Sequence, residues 1–502
     1  MNRHAAAGAS MTGTLSRRLV TSVLIALWLI GTLRALAVFM HDPLFAYANS
    51  YDQTRYTSCF HFYPDRPADV PAQQNSPDAP YSRYRFIATD DPMCYWSSEL
   101  LFGGTTALIW KSAEALTGDV VHDARWVGVL RWLSLLALSI AFSTMHFRRR
   151  EPRAALAHAA LVPLVFADPG NTLYLSTFYA EWTALLAAYA LVSLVLLWRD
   201  VPRSRRRFAL LALAAFLLAV SKLQHMLLPL ALGAVVLALD RARLHRTTWR
   251  AFALVAGALA GAYFQFVQTS REGLMMDTIR QYNRADVVFT ALVPLADDPR
   301  ALLGEIGIDP GCAIYGGKPA WQLPNLPERT CRGLVNFSRG KELLALARHP
   351  VLAARLAGAG VLALDPWIAD NIGHVEGAGF AKLPASVPSI GRPLHASAGF
   401  RFVLLGLPLA VLVWLLVRPG VRRGGGALEA TALTTVVMVA TLAVAVLGDG
   451  LADTAKQGHL VVDAALAWLF AGLMMYLPTR RRLESDAQPA ERLHPPMSRF
   501  SP

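Results

Sequence analysis

The chain has 502 residues, 54% of them hydrophobic and 17% charged, with a mean hydropathy of +0.36 and a formal net charge of +13. That balance excludes a large soluble enzyme and fits a polytopic membrane protein. The positive charge does not point to nucleic acid, because most of it lies in the N-terminal segment and in short loops between apolar runs.

In chain order, residues 1–18 read as a cytoplasmic lead. Residues 19–40 form an apolar run broken only by Arg34. The run is long enough to cross a hydrocarbon core of about 30 Å at about 1.5 Å per residue. Its length and its lack of a small-residue cleavage site argue against a removable signal. Further spans are expected at 127–147, 154–167, 183–198, 208–221, 226–239, 251–267, 402–417, 430–447 and 460–476. The expected fold is therefore an all-α polytopic bundle of about ten transmembrane helices with both termini on one side. Residues 19–267 hold seven spans and a first long loop, 41–125. Residues 268–400 form a second long loop or small domain, 401–478 carry the last spans, and 479–502 read as a disordered tail.

Arginines set the orientation. Arg148, Arg149, Arg150 and Arg153 follow span two, and Arg199, Arg203, Arg205, Arg206 and Arg207 follow span four. The exits of spans six, eight and ten are also basic, whereas 41–125 holds more acidic than basic residues. Positive loops face the cytoplasm, so both termini are expected inside and both long loops outside, in a bacterial inner membrane. The four cysteines, Cys59, Cys94, Cys312 and Cys331, all fall in these outer loops. The simplest expectation is two disulfides, Cys59 with Cys94 and Cys312 with Cys331, rather than a metal site.

The run from Glu99 to Gly118 has an apolar face but too few apolar residues to span, and reads as an interfacial helix. Residues 351–364 are the ambiguous case. A surface helix is expected there, because a crossing would move every later basic loop outside.

Ionisable residues near the outer ends of spans normally line a cavity, because lipid burial is unfavourable. The first group is Asp52 with Arg55, in Asn49-Ser50-Tyr51-Asp52-Gln53-Thr54-Arg55-Tyr56. The second is Asp168-Pro169-Gly170-Asn171 followed by Phe178-Tyr179-Ala180-Glu181, where a helix break can aim Glu181 into a cleft or merely place an acid at a helix start. Ser221-Lys222-Leu223-Gln224-His225 offers Lys222 and His225 as phosphate binders or as groups snorkelling to headgroups. Asp449, Asp453, Lys456 and His459, in the last outer turn, read as a solvated loop. Asp365, Trp367, Asp370 and His374 suit sugar binding or packing equally. Arg34 snorkels outward or reaches an anionic ligand.

The number of spans, a long first outer loop with an acidic motif just after span one, interfacial helices and a second large outer loop together resemble the GT-C class of membrane glycosyltransferases, which use polyprenyl-phosphate-linked sugars. At residue level the likeness rests on Asn49 to Tyr56, with support from Phe178-Tyr179-Ala180-Glu181. An adjacent acidic pair is frequent in the class, whereas here Asp52 is followed by Gln53, so Asp90-Asp91 are held in reserve together with Asp365, Asp370 and His374. The resemblance implies transfer to a glycan, lipid or protein acceptor in cell-envelope glycan synthesis. Asp52 would be the base and Glu181 would orient hydroxyls, with substrate and phosphate contacts from Arg55, Lys222, Gln224, His225, Asn49 and Tyr51. A divalent cation, Mg or Mn, is compatible but not required. The rival readings are a lipid-linked glycan flippase, an O-antigen ligase or polymerase with key basic residues such as Arg339 or Arg348, and a non-catalytic assembly protein.

Overall fold

A computed structural model describes residues 4–45, 50–65, 82–90, 93–242, 248–271, 273–365, 367–369, 372, 375, 383–384, 387–417 and 426–476. Helices form over the expected apolar runs and in several polar segments between them. These are α1 (His4–Phe39), α2 (Ser50–Thr57), α3 (Leu100–Thr117), α4 (Arg125–Arg148), α5 (Pro152–Leu161), α6 (Pro169–Thr172), α7 (Glu181–Leu197), α8 (Arg205–Ala219), α9 (Leu228–Ala242), α10 (Trp249–Arg271) and α11 (Gly273–Asp286). The second half adds α12 (Arg339–Arg348), α13 (Pro350–Leu362), α14 (Ala398–Val417), α15 (Gly426–Asp449), α16 (Thr454–Gln457) and α17 (His459–Tyr476).

Among the described residues six helices are long and apolar enough to cross a membrane: Arg17–Phe39, Arg125–Arg148, Leu223–Ala242, Trp249–Ser270, Ala398–Val417 and Gly426–Asp449. The other four expected spans are helices of shorter length. One has a visible cause: α5 gives way to a π turn, Val162–Phe166, at Pro163, which has no N–H to donate, and Pro169 opens a new helix. Arg34 donates to the Pro163 carbonyl, so it is directed into the bundle at this break.

The chain is not wholly helical. In the first long loop β1 (Phe62–Pro64), β2 (Arg83–Phe86) and β3 (His122–Asp123) pair antiparallel, with Phe62 opposite Phe86 and Tyr84 opposite His122. The inner face is aromatic: Phe62, Tyr84, Trp110 and Phe178 form one buried cluster. That cluster fastens the sheet to α3 and to the segment before α7. The α3 helix turns Gly103, Thr106 and Trp110 inward and leaves Leu101, Leu108, Ile109 and Leu116 exposed, the amphipathic pattern expected of an interfacial element.

Both expected disulfides are present, Cys59–Cys94 and Cys312–Cys331. The first joins the end of α2 to the strand-like segment whose Tyr95 N donates to Arg55 O at 2.6 Å. The second lies inside an apolar core of its own, built from residues such as Phe289, Leu303, Ile308, Leu334 and Phe337. At the opposite end of the bundle Arg250, one of the arginines that set the orientation, is buried between Asp240 and Glu429, 2.6 Å from each. The α13 helix is short, with Leu352, Leu356 and Gly360 turned inward, and packs near α12, α14 and α15.

Trp367 is a packing residue rather than a platform for sugar rings. Its indole is wedged between Gly170 and Gly391, where an added Cβ would come within 2.3 and 2.2 Å of the ring. Its Nε1 donates to Asp168 Oδ1 at 2.6 Å. Asp168 also accepts from Gly170 N, Ser389 Oγ, Ile390 N and Gly391 N. This carboxylate, buried at the break before α6, pins the late loop to the bundle. Asp365 pairs with Arg401 at 3.2 Å, while Asp370 and His374 lie outside the described residues.

Candidate functional site

The acidic motif folds as α2, and its Asp52 meets residues that are distant in sequence. One carboxylate oxygen takes Arg55, one helical turn on. The other lies 2.9 Å from Lys456 Nζ, 404 positions away in α16. Lys456 also pairs with Asp453, and its ammonium sits 5.2 Å from the Tyr179 ring centre. The last outer turn is therefore not a solvated loop. Asp453, Lys456 and His459 face inward because Gly450, at φ +67, lets the chain reverse tightly against α11, where a Cβ would come within 2.4 Å of Asp286 O.

Beside this group Glu181 pairs with Lys222. Lys222 Nζ also donates to Gln457 Oε1 at 3.1 Å, and Gln457 Nε2 to Asp449 Oδ2 at 3.1 Å. His459 lies 3.1 Å from the Glu181 carbonyl, and Gln224 Nε2 donates to Gln457 O at 3.2 Å. The side-chain exposures order the cluster in depth: 20% for Asp52, 19% for Arg55, 14% for Lys222, 5% for Lys456 and none for Glu181. The result is a pit of opposed charges with α2 at its mouth. At its floor Glu181 Oε2 has no hydrogen-bond partner.

Burial by itself would raise the Asp52 carboxyl, but Lys456 and Arg55 hold it well below the usual carboxylate range. Burial would lower Lys456, yet Asp453 and Asp52 keep it well above an ordinary lysine. Asp453 is pushed up to about 6 by burial, with Lys456 opposing. The pit thus holds a firmly ionised Asp52, a charged Lys456 and, in Asp453, an acid that titrates at about 6.

Asp286, at the end of α11, adds a further carboxylate on the flank. Burial, reinforced by Asp449 and Asp453, pushes it up to about 8, although Ala320 N donates to its Oδ1 at 2.7 Å. In the unfolded chain an aspartate releases its proton near 4. The folded state therefore holds the extra proton between these values, and this group's contribution to stability falls as pH rises. Asp286→Asn keeps the acceptor for Ala320 N. Its thermal stability in detergent is expected to exceed that of the wild type by a margin that grows from about pH 4 to about pH 8 and then levels off; a constant margin would disprove the assignment.

The remaining candidates scatter. Gln53, which stands beside Asp52 where a second acid was sought, is buried and accepts from Phe178 N at 2.9 Å and Tyr84 OH at 3.3 Å, docking the sheet on the bundle. His225 is turned inward, with Nδ1 2.9 Å from Ser221 Oγ and Nε2 3.2 Å from Gln224 Nε2. Asp90 is solvent-exposed. Tyr51 lies within α2, and Asn49 and Asp91 fall outside the described residues. Arg339 donates to Gly448 O at 2.5 Å and to Glu342 at 2.9 Å, and Arg348 pairs with Glu305 at 3.0 Å; neither is among the partners of Asp52.

A family model described as the YfdI N-terminal transmembrane domain matches residues 14–332, more than half of the chain. The chain belongs to the YfdI N-terminal transmembrane domain family. With its apolar helices this makes it a multi-pass membrane protein. The matched region contains Asp52, Arg55, Glu181 and Lys222, whereas Asp453, Lys456 and His459 lie beyond it. No curated protein and no solved structure matches the chain.

Sequence reasoning missed Lys456 as a partner of Asp52. The available signal was a lysine among two aspartates and a histidine at the outer end of a span, a setting that favours a buried network over a solvated one.

Proposed function

We propose that this YfdI-family protein is a GT-C-type glycosyltransferase that moves a sugar from a polyprenyl-phosphate donor to an extracytoplasmic glycan, lipid or protein acceptor during cell-envelope glycan synthesis. The reading rests chiefly on the ionised Asp52 at the mouth of a buried cationic pit. In the proposed step an acceptor hydroxyl oxygen bonds to the anomeric carbon, the bond from that carbon to the phosphate oxygen breaks, Asp52 receives the hydroxyl proton and polyprenyl phosphate leaves. Lys456, Arg55 and Lys222 supply fixed positive charge for the leaving phosphate, which makes a divalent cation unnecessary. A phosphate that engages Lys456 and Arg55 also draws away the two charges that hold Asp52 down. Its basicity then rises toward the range where general-base catalysis is efficient.

Two rivals fit less well. A flippase is expected to carry ionisable residues at mid-membrane, whereas these gather at the end of the bundle that bears both long loops. A ligase reading leans on Arg339 and Arg348, which satisfy a helix end and a surface carboxylate. The test is reconstitution of the full chain in liposomes with a panel of radiolabelled polyprenyl-phosphate sugars and envelope extract as acceptor. Labelled acceptor together with released polyprenyl phosphate is the expected result; movement of lipid-linked glycan across the bilayer without turnover would favour the flippase.

A further inference from the structure

Two buried amides on α10 play no part in the charge network. Gln265 and Gln268, 0% and 1% exposed, lie one helical turn apart near the end of α10, facing the first long loop. Tyr95 OH donates to Gln265 Oε1 at 2.8 Å, and burial pushes that hydroxyl up to about 12, so it remains a donor at every physiological pH. This contact fixes the orientation of the Gln265 amide, with oxygen toward Tyr95 and nitrogen away. Neither Gln265 Nε2 nor Gln268 Nε2 has a hydrogen-bond partner among the described residues.

A buried donor left unmatched is unfavourable, and here two lie one turn apart on the same helix. Tyr95, the partner of Gln265, packs next to residues of the charged site. Tyr95 belongs to a cluster with Tyr56, Met275, Met276 and Ala180, the residue just before Glu181, and Tyr95 N is tied to Arg55 O in the helix that carries Asp52. Next in sequence to Tyr95 and Gln265, the rings of Trp96 and Phe264 lie 6.0 Å apart. Gln265 is thus joined through Tyr95 to the helix that carries Asp52, and Gln268 lies one turn further along α10.

We infer that Gln265 Nε2 and Gln268 Nε2 form a sugar-binding subsite that donates to hydroxyl oxygens of the transferred sugar. The inference rests on the glycosyltransferase reading and adds to it the group that recognises the sugar rather than the phosphate. Neutral amides suit hydroxyls, which accept and donate without charge. A site built to hydrogen-bond a hydroxyl also rejects the analogue lacking it, so these two residues would set sugar specificity.

The test is ligand binding by the purified full chain in nanodiscs, for wild type, Gln268→Met and Gln268→Glu. The probes are polyprenyl phosphate without sugar and a panel of polyprenyl-phosphate hexoses and pentoses. Because the Gln268 nitrogen has no partner among the described residues, the Met variant should melt no lower than wild type. Both variants should bind the sugar-free lipid as wild type does and the preferred sugar-bearing lipid on the order of tenfold more weakly. Equal weakening for both probes would assign the amides to phosphate and overturn the sugar subsite. Equal affinity of wild type and variants for every probe overturns it as well, and so does loss of folding in both variants. Absence of binding by wild type to any probe would instead sink the glycosyltransferase reading, and the subsite with it.

Discussion

Asp52→Asn is expected to fold normally and to lose sugar transfer by on the order of 10²–10⁴-fold, the contribution typical of a positioned general base. The side chain keeps its size, and Lys456 retains Asp453 as a counter-ion, so the last turn stays in place. What disappears is the carboxylate that pairs with both Arg55 and Lys456 at the mouth of the pit. Size-exclusion behaviour in detergent checks folding, and the initial rate of labelled-sugar transfer checks catalysis. A wild-type rate would move the base elsewhere, with Asp453 first in line, since a carboxyl lifted to about 6 is closer to an effective base than one held low.

Arg131→Met is expected to cost about 3–5 kcal/mol of stability, the loss typical when one partner of a buried ion pair is removed. Arg131 and Glu99 are essentially inaccessible to solvent. The guanidinium reaches Glu99 and donates to the carbonyls of Tyr174, at 2.8 Å, of Leu175, at 3.0 Å, and of Thr177. It therefore fastens the turn that delivers Tyr179 and Glu181 to the pit, while the other Glu99 oxygen accepts from Thr183 on α7. Adding Glu99→Met to Arg131→Met removes the stranded carboxylate and should recover part of the loss, though not the bonds to the Leu175 and Thr177 carbonyls. Equilibrium unfolding in mixed micelles distinguishes the cases; a single variant as stable as wild type would show that the pair is not what holds the turn.

Much of the scaffold was legible because its determinants are local. Apolar run length decides where a helix can cross a hydrocarbon layer, and that is a property of consecutive residues. Where an expected span is a shorter helix, Pro163 gives a local reason at one of them: a proline inside an apolar run interrupts the helical hydrogen bonds without changing hydropathy. The disulfides were equally legible, since four cysteines in two loops leave one simplest pairing. The small sheet was not. Its strands are two to four residues long and separated by wide gaps, so their alternation carries almost no signal, and aromatic packing on α3 and Phe178 rather than propensity holds them.

Within the site, the sequence by itself marked Asp52, Arg55, Glu181 and Lys222, because charged residues at the ends of apolar spans are costly unless they have partners. It did not say who those partners are. Only the tertiary structure set Lys456 against Asp52 and Lys222 against Glu181, turned His225 inward, gave Trp367 to packing between two glycines, and left two glutamine amides of α10 unmatched among the described residues. The physical reason is separation along the chain. An ion pair spanning 404 positions depends on where α2 and α16 are carried by the helices between them, and no local pattern encodes that placement.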